Sequence, residues 1–146
     1  MIRRPPRSTL DRSSAASDVY KRQPEGYRLP ITDNSVYSSE QFLEYWKGLI
    51  KQYNLRFLED PFREQDAESW RALTTSEPNA IVIGDNYYSS DAARIEAGAE
   101  KQHTHAVIIK PNQAGTVTGI RQAVETAQRM GQIVITSHRS ISTEET

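Results

Sequence analysis

The chain has 146 residues, 36% of them apolar and 25% charged, the make-up of one globular domain with a modest core. No apolar run approaches the roughly 18 residues of a membrane span, and the lack of cysteine excludes disulfides and thiolate metal sites, leaving oxygen or histidine to hold any metal. The formal net charge of −1 conceals an asymmetry: of 18 basic and 19 acidic residues, positions 1–23 hold six and two, leaving 12 and 17 for the remainder. A protein that grips a phosphate backbone carries positive charge on its working domain, so neither nucleic acid nor a membrane is expected as a partner of this acidic body.

Residues 1–23 stand apart as a head. Arg3, Arg4, Arg7, Arg12, Lys21 and Arg22 supply its charge, Pro5-Pro6 blocks regular structure, and neither a helical nor a strand period is present. Such a basic, serine-rich start is also the composition of a transit peptide or a nucleic-acid arm. The stretch from Ser13 to Gln23, however, resembles a translated sequencing adapter. The head is expected to be disordered and without function, and the domain proper to occupy residues 24–146.

From Ser38 the pattern becomes regular. Ser38 or Ser39 caps a helix whose apolar face is Phe42, Leu43, Trp46, Leu49, Ile50 and Tyr53. A strand at Leu55–Leu58 ends on Glu59-Asp60-Pro61. Ala67, Trp70 and Leu73 mark a second helix, and Ala80–Ile83 a second strand ending at Gly84-Asp85. Ser90 or Asp91 starts a third helix with Ala92, Ile95 and Ala99 inward, and Ala106–Ile109 is a strand ending at Lys110-Pro111. Thr116 opens a fourth helix with Val117, Ile120, Val124 and Ala127 inward, and Gly131 closes it. Gln132–Thr136 is the last strand, followed by Ser137-His138-Arg139-Ser140. Helices alternating with β-branched strands predict an α/β fold of parallel βα units, and the continuously apolar strand cores predict a sheet covered on both faces. Since a complete barrel of this kind takes at least about 200 residues, the expectation is a partial (β/α) barrel of TIM type.

Parallel strands point their ends the same way, and barrel enzymes place their chemistry at the C-terminal ends. Here the four ends offer Glu59, Asp85, Lys110 and the run Ser137 to Ser140. Two carboxylates are hard oxygen ligands suited to magnesium. A lysine beside a divalent cation and partly desolvated has its charged form disfavoured and can act as a base. Arginine with serine hydroxyls suits a phosphate. Each element alone has a plainer reading: a helix cap or ion-pair partner for Glu59 or Asp85, a surface lysine for Lys110, a structural histidine for His138, a partner of Glu144 or Glu145 for Arg139. Recurrence at four consecutive strand ends favours a site for proton abstraction next to a carboxylate. His103-Thr104-His105 lacks a third ligand nearby and reads as a pair of solvated loop histidines. No glycine-rich phosphate loop is present, and Ser137 lacks the elbow of a hydrolase nucleophile.

At these residues the chain resembles the enolase family. The resemblance rests on Leu58-Glu59-Asp60-Pro61-Phe62, Val82-Ile83-Gly84-Asp85, Ile109-Lys110-Pro111-Asn112-Gln113-Ala114-Gly115-Thr116 and Ser137-His138-Arg139-Ser140, in that order, and spans roughly Gly26 to Thr146. It implies a lyase that dehydrates 2-phosphoglycerate to phosphoenolpyruvate in glycolysis, with Glu59 and Asp85 on catalytic Mg2+ and Lys110 removing the proton from carbon 2. Ser137, His138, Arg139 and Ser140 would hold the substrate, Arg139 and Ser140 at its phosphate. Such enzymes are cytoplasmic homodimers.

The chain departs from the family where enolases read Gly-Asp-Asp and it has Gly84-Asp85-Asn86, and where they continue Gly-Glu-Thr-Glu-Asp and it has Ile141-Ser142-Thr143-Glu144-Glu145. These departures keep open a divergent enolase-superfamily enzyme acting on another carboxylate, or a binding protein without catalysis. The family's aspartate metal ligand, a catalytic glutamate and the capping domain precede the matched region, and a further substrate-binding lysine follows it. This chain is therefore expected to be an inactive fragment of the barrel domain.

Overall fold

The computed structural model describes residues 21–23, 26–29 and 35–137. Positions 1–20 of the head and His138, Arg139 and Ser140 lie outside the described residues.

The first element was not expected. Strands β1 (Lys21–Gln23), β2 (Gly26–Arg28) and β3 (Val36–Tyr37) form a small antiparallel sheet in the order β1-β2-β3. Lys21–Gln23, read from the sequence as the end of an irregular head, pair with Arg28, Tyr27 and Gly26. Strands of two or three residues are held by backbone pairing and leave no period to read. Gly26 is required here: its φ is +150°, and a Cβ would run into the carbonyl oxygen of Tyr37.

Tyr27 ties this sheet to the rest of the molecule. It is buried, stacks on Phe42 at 4.3 Å between centroids, and donates its hydroxyl proton to Asp66 Oδ2 at 2.6 Å. Asp66 in turn caps the second helix by accepting from the Ser69 amide.

Helix α1 (Ser39–Tyr53) begins at Ser38, whose hydroxyl and backbone exchange hydrogen bonds with Gln41 in a capping box. Phe42, Trp46 and Ile50 are buried as expected, but Tyr53, at the helix's last residue, is 53% exposed. There follow β4 (Phe57–Glu59), α2 (Ala67–Ser76), β5 (Ile81–Gly84), α3 (Ala92–Glu100, capped by Asp91), β6 (Ala106–Ile109), the short α4 (Pro111–Ala114), α5 (Val117–Arg129, capped by Thr116) and β7 (Ile133–Thr136). Val117, expected inward, is 83% exposed at the first residue of α5, while Ala123 and Ala127 carry the buried face.

Strands β4-β5-β6-β7 make one parallel sheet in sequence order, open at both edges among the described residues. The fold class is thus α/β with parallel βα units. Alternation along each strand sorts side chains onto two faces. Leu58 and Val82 pack with α1 and α2, and Val107 and Ile109 with α3 and α5. Ile83, Ala106 and Ile108 cluster with Ile81 and Ile135 on the other face. The expectation of complete cover holds for β5 and β6 but not at the edges: Phe57 on β4 is 45% exposed and Ile133 on β7 is 50% exposed. An edge strand has a neighbour on one side only.

Candidate functional site

The inner face of the sheet leads to the site. Glu59 is registered with Ile83, Ile83 with Ala106, and Ile109 with Thr136. Counting by twos places Glu59 after Phe57, Asp85 after Ile83, Lys110 after Ile108 and Ser137 after Ile135, at the same ends of four neighbouring strands. Lys110 retains an extended backbone, so the alternation reaches it, and the Ser137 amide donates to the Ile109 carbonyl at 3.1 Å.

Three of these groups meet. The Lys110 ammonium donates to Asp85 Oδ2, with 9% of the lysine and 3% of the aspartate side chain exposed. Gln113 Nε2 donates to Asp85 Oδ1 at 3.3 Å. Glu59 is hydrogen-bonded to the Asp85 carboxylate; burial first, then this bond and the negative charges of Asp85 and Asp60, push its carboxyl up to about 8. Two carboxyl groups brought together in a half-buried place cannot both ionise freely.

That shift has a sign that can be tested. Glu59 binds its proton more tightly folded than unfolded, so ionising it costs the folded state between about pH 4.5 and about pH 8. Glu59→Gln is expected to gain stability relative to the parent as pH rises through that window. Allowing for solvent screening of a partly exposed group, the gain at pH 8 is about 1 kcal/mol. Urea unfolding of both proteins at pH 4.5 and pH 8 checks this; a pH-independent difference would contradict it.

Asp60, next to Glu59, faces elsewhere. Its φ is +44°, and its amide donates to the Ile83 carbonyl at 3.0 Å. Its Oδ1 accepts from the Asp85 amide at 2.9 Å and the Tyr87 amide at 3.4 Å, and its Oδ2 from the Asn86 amide at 2.8 Å. Burial raises its carboxyl above the usual range, against the pull of these amides. At the far end of the same loop, Ser89 and Ser90 have φ of +48° and +56°. Ser90 Oγ accepts from the Lys110 amide at 2.9 Å and donates to Gln113 Oε1 at 2.7 Å. The loop 85–90 thereby links the ends of β4, β5 and β6.

Of the residues singled out in the sequence, Glu59, Asp85 and Lys110 are brought together, and Ser137 extends β7. His138, Arg139 and Ser140 lie outside the described residues. Sequence reasoning missed Asp60, Ser90 and Gln113. Gln113 lies in the matched run after Lys110, but its role depends on Ser90 and Asp85, which are distant in sequence. The two loop histidines are not both solvated: His103 is buried with Nδ1 at 2.6 Å from the Tyr87 hydroxyl, and His105 Nδ1 accepts from the Val82 amide at 3.1 Å. Burial lowers both pKa values, which favours neutral rings in these structural bonds.

The donor set suits a hard cation. Glu59 and Asp85 present carboxylate oxygens whose mutual repulsion a divalent ion would relieve, and Lys110 now supplies the positive charge at Asp85. Among the described residues no group of three or more histidine or acidic side chains is arranged to hold a metal. Among the same residues no helix is long and apolar enough to cross a membrane.

Residues 7–146 match the family described as "Enolase, C-terminal TIM barrel domain". The chain is 36% identical over 132 residues to the enolase of Saccharolobus solfataricus, covering 90% of this chain and 31% of that protein. It is 37% identical over 131 residues to an enolase of Saccharolobus islandicus, covering 90% and 30%. To the enolase of Haloarcula marismortui it is 35% identical over 133 residues, covering 90% and 32%. It thus spans about a third of the length of these relatives. A family match that takes in nearly the whole chain, with an acid, a second acid and an amine at adjoining strand ends, settles kinship: the chain belongs to the enolase family, in its C-terminal TIM barrel domain.

Proposed function

We propose that these residues form part of an enolase active site that dehydrates 2-phosphoglycerate to phosphoenolpyruvate. The observation that carries the reading is the Lys110 ammonium against Asp85, with Glu59 on the same carboxylate, at the ends of three adjacent parallel strands. In this reading Lys110 Nζ takes the proton from the carbon next to the substrate carboxylate. The resulting ammonium then rests on Asp85, the contact present in the structure. Glu59 and Asp85 would hold Mg2+, which when bound supplies positive charge where the reaction develops negative charge. Ser137, His138, Arg139 and Ser140 bind the substrate, Arg139 and Ser140 at its phosphate, where a guanidinium and hydroxyl suit the anion. The same proposal includes a homodimer for the complete enzyme, a cytoplasmic setting and a place in glycolysis.

Asn86 does not disturb this arrangement. Its side chain is exposed and its link to Asp60 is through the amide, which nearly any residue supplies. The departure from Gly-Asp-Asp does not touch the amide that meets Asp60.

Phosphoenolpyruvate formation from 2-phosphoglycerate with Mg2+ tests the proposal. A complete enzyme carrying these residues is expected to turn over efficiently, whereas the 146-residue chain alone is expected to form no product. Failure of the complete enzyme on 2-phosphoglycerate would remove the assignment; turnover by the short chain would remove the claim that it is inactive.

A further inference from the structure

We propose that Asp60 is the positioning residue of this site: its carboxylate fixes the backbone that carries Asp85, and thereby the place of the Asp85 carboxylate. What is positioned rests on the reading just given; the positioning itself rests on geometry. The dipeptide Glu59-Asp60 divides two tasks. Glu59 ends β4 on the inner face, and the left-handed turn at Asp60 sends the next carboxylate across to the neighbouring loop. There it accepts three successive amides, those of Asp85, Asn86 and Tyr87. A carboxylate receiving several backbone N–H groups is a strong, directional anchor.

Asp60 is itself held. The turn after it is pinned by two indoles, Trp46 Nε1 donating to the Pro61 carbonyl at 3.0 Å and Trp70 Nε1 to the Arg63 carbonyl at 3.1 Å. The Arg63 amide also donates to the Tyr27 hydroxyl at 3.3 Å. The anchor is therefore built on the aromatic core around α1 and α2, and strain or looseness there passes to Asp85 through one side chain. Asp60 is 4% exposed, so water is a poor substitute for it.

The test uses Asp60→Asn and Asp60→Ala in the complete enzyme. Val124→Ala, a truncation on α5 against the core cluster that does not hold the turn after Asp60, serves as the control for lowered stability alone. Three readouts are taken: amide hydrogen exchange, Mg2+ binding by calorimetry, and kcat and KM for 2-phosphoglycerate. In Asp60→Ala the amides of Asp85, Asn86 and Tyr87 are expected to exchange at least about tenfold faster while those of Ile95 and Val107 do not. The Kd for Mg2+ is expected to rise about tenfold, the lower end of the cost of losing a group that orients a metal ligand. The fall in kcat is expected to exceed the change in KM, and Asp60→Asn, which keeps one acceptor oxygen, to lie between. If the alanine variant does not fold, the asparagine variant carries the test.

Unchanged exchange at Asp85–Tyr87, or a Mg2+ binding curve superposable on the parent's, would overturn the proposal, as would equal effects from Val124→Ala. If exchange and metal binding shift as expected but the parent does not act on 2-phosphoglycerate, the reaction assignment fails and the role of Asp60 stands.

Discussion

Lys110→Ala in the complete enzyme is expected to lower kcat by about 10³-fold or more, in the upper range for loss of a general base, while Mg2+ binding persists. The backbone reason is that Lys110 is held through its amide by Ser90 Oγ and is followed by Pro111 at the start of α4, neither of which needs the side chain. The electrostatic reason is that the ammonium now competes with any cation for Asp85 Oδ2. Removing it leaves the two carboxylates at least as attractive to a divalent ion. Lys110→Arg is the sharper control. It keeps the positive charge but cannot give up its proton near neutral pH, so it should be nearly as inactive as the alanine variant. Steady-state kinetics with a parallel Mg2+ titration decides: near-parent turnover in either variant would exclude Lys110 as the base, and loss of metal binding in Lys110→Ala would exclude the electrostatic argument.

How far the site could be read from sequence depended on the range of the interaction. Strand ends were legible because β-branched runs alternate with capped helices, and Ser38, Asp91 and Thr116 cap as their side chains suggest. Glu59, Asp85 and Lys110 followed, since parallel strands leave their ends on one side. Periodicity gives an angle around a helix but not a depth along it. Tyr53 and Val117 lie at acceptable angles and at helix termini, and both are exposed. Asp60 was illegible because its partners lie 25 to 27 positions away and are backbone amides, which have no residue signature. Ser90 was hidden by its left-handed conformation, which a non-glycine residue does not advertise. The antiparallel sheet escaped because strands of two or three residues are too short to show a repeating alternation.

The same glycine-to-alanine change is expected to act with opposite signs at two positions, and the larger effect is at Gly98. Tyr88 is fully buried beside Gly84 of β5 and Gly98 of α3: a Cβ on either would come to 2.5 Å from its ring carbons, and at Gly98 would also strike its hydroxyl. The ring cannot swing aside freely. Thr104 Oγ1 donates to Gln132 Oε1, which leaves it to accept from the Tyr88 hydroxyl at 2.8 Å. Gly98→Ala should therefore cost about 3 kcal/mol by overpacking, a fall of about 10 °C in Tm for a domain of this size. Gly48, on the exposed side of α1 with nothing within 4 Å of a would-be Cβ, should instead gain about 0.5–1 kcal/mol on becoming alanine. A double-mutant cycle assigns the cause: Tyr88→Leu should cost less in the Gly98→Ala background than in the parent, because the clash it relieves is then present. Additive losses would place the penalty elsewhere than in contact with Tyr88, and an unchanged Tm for Gly98→Ala would mean that α3 can move off the sheet at little cost.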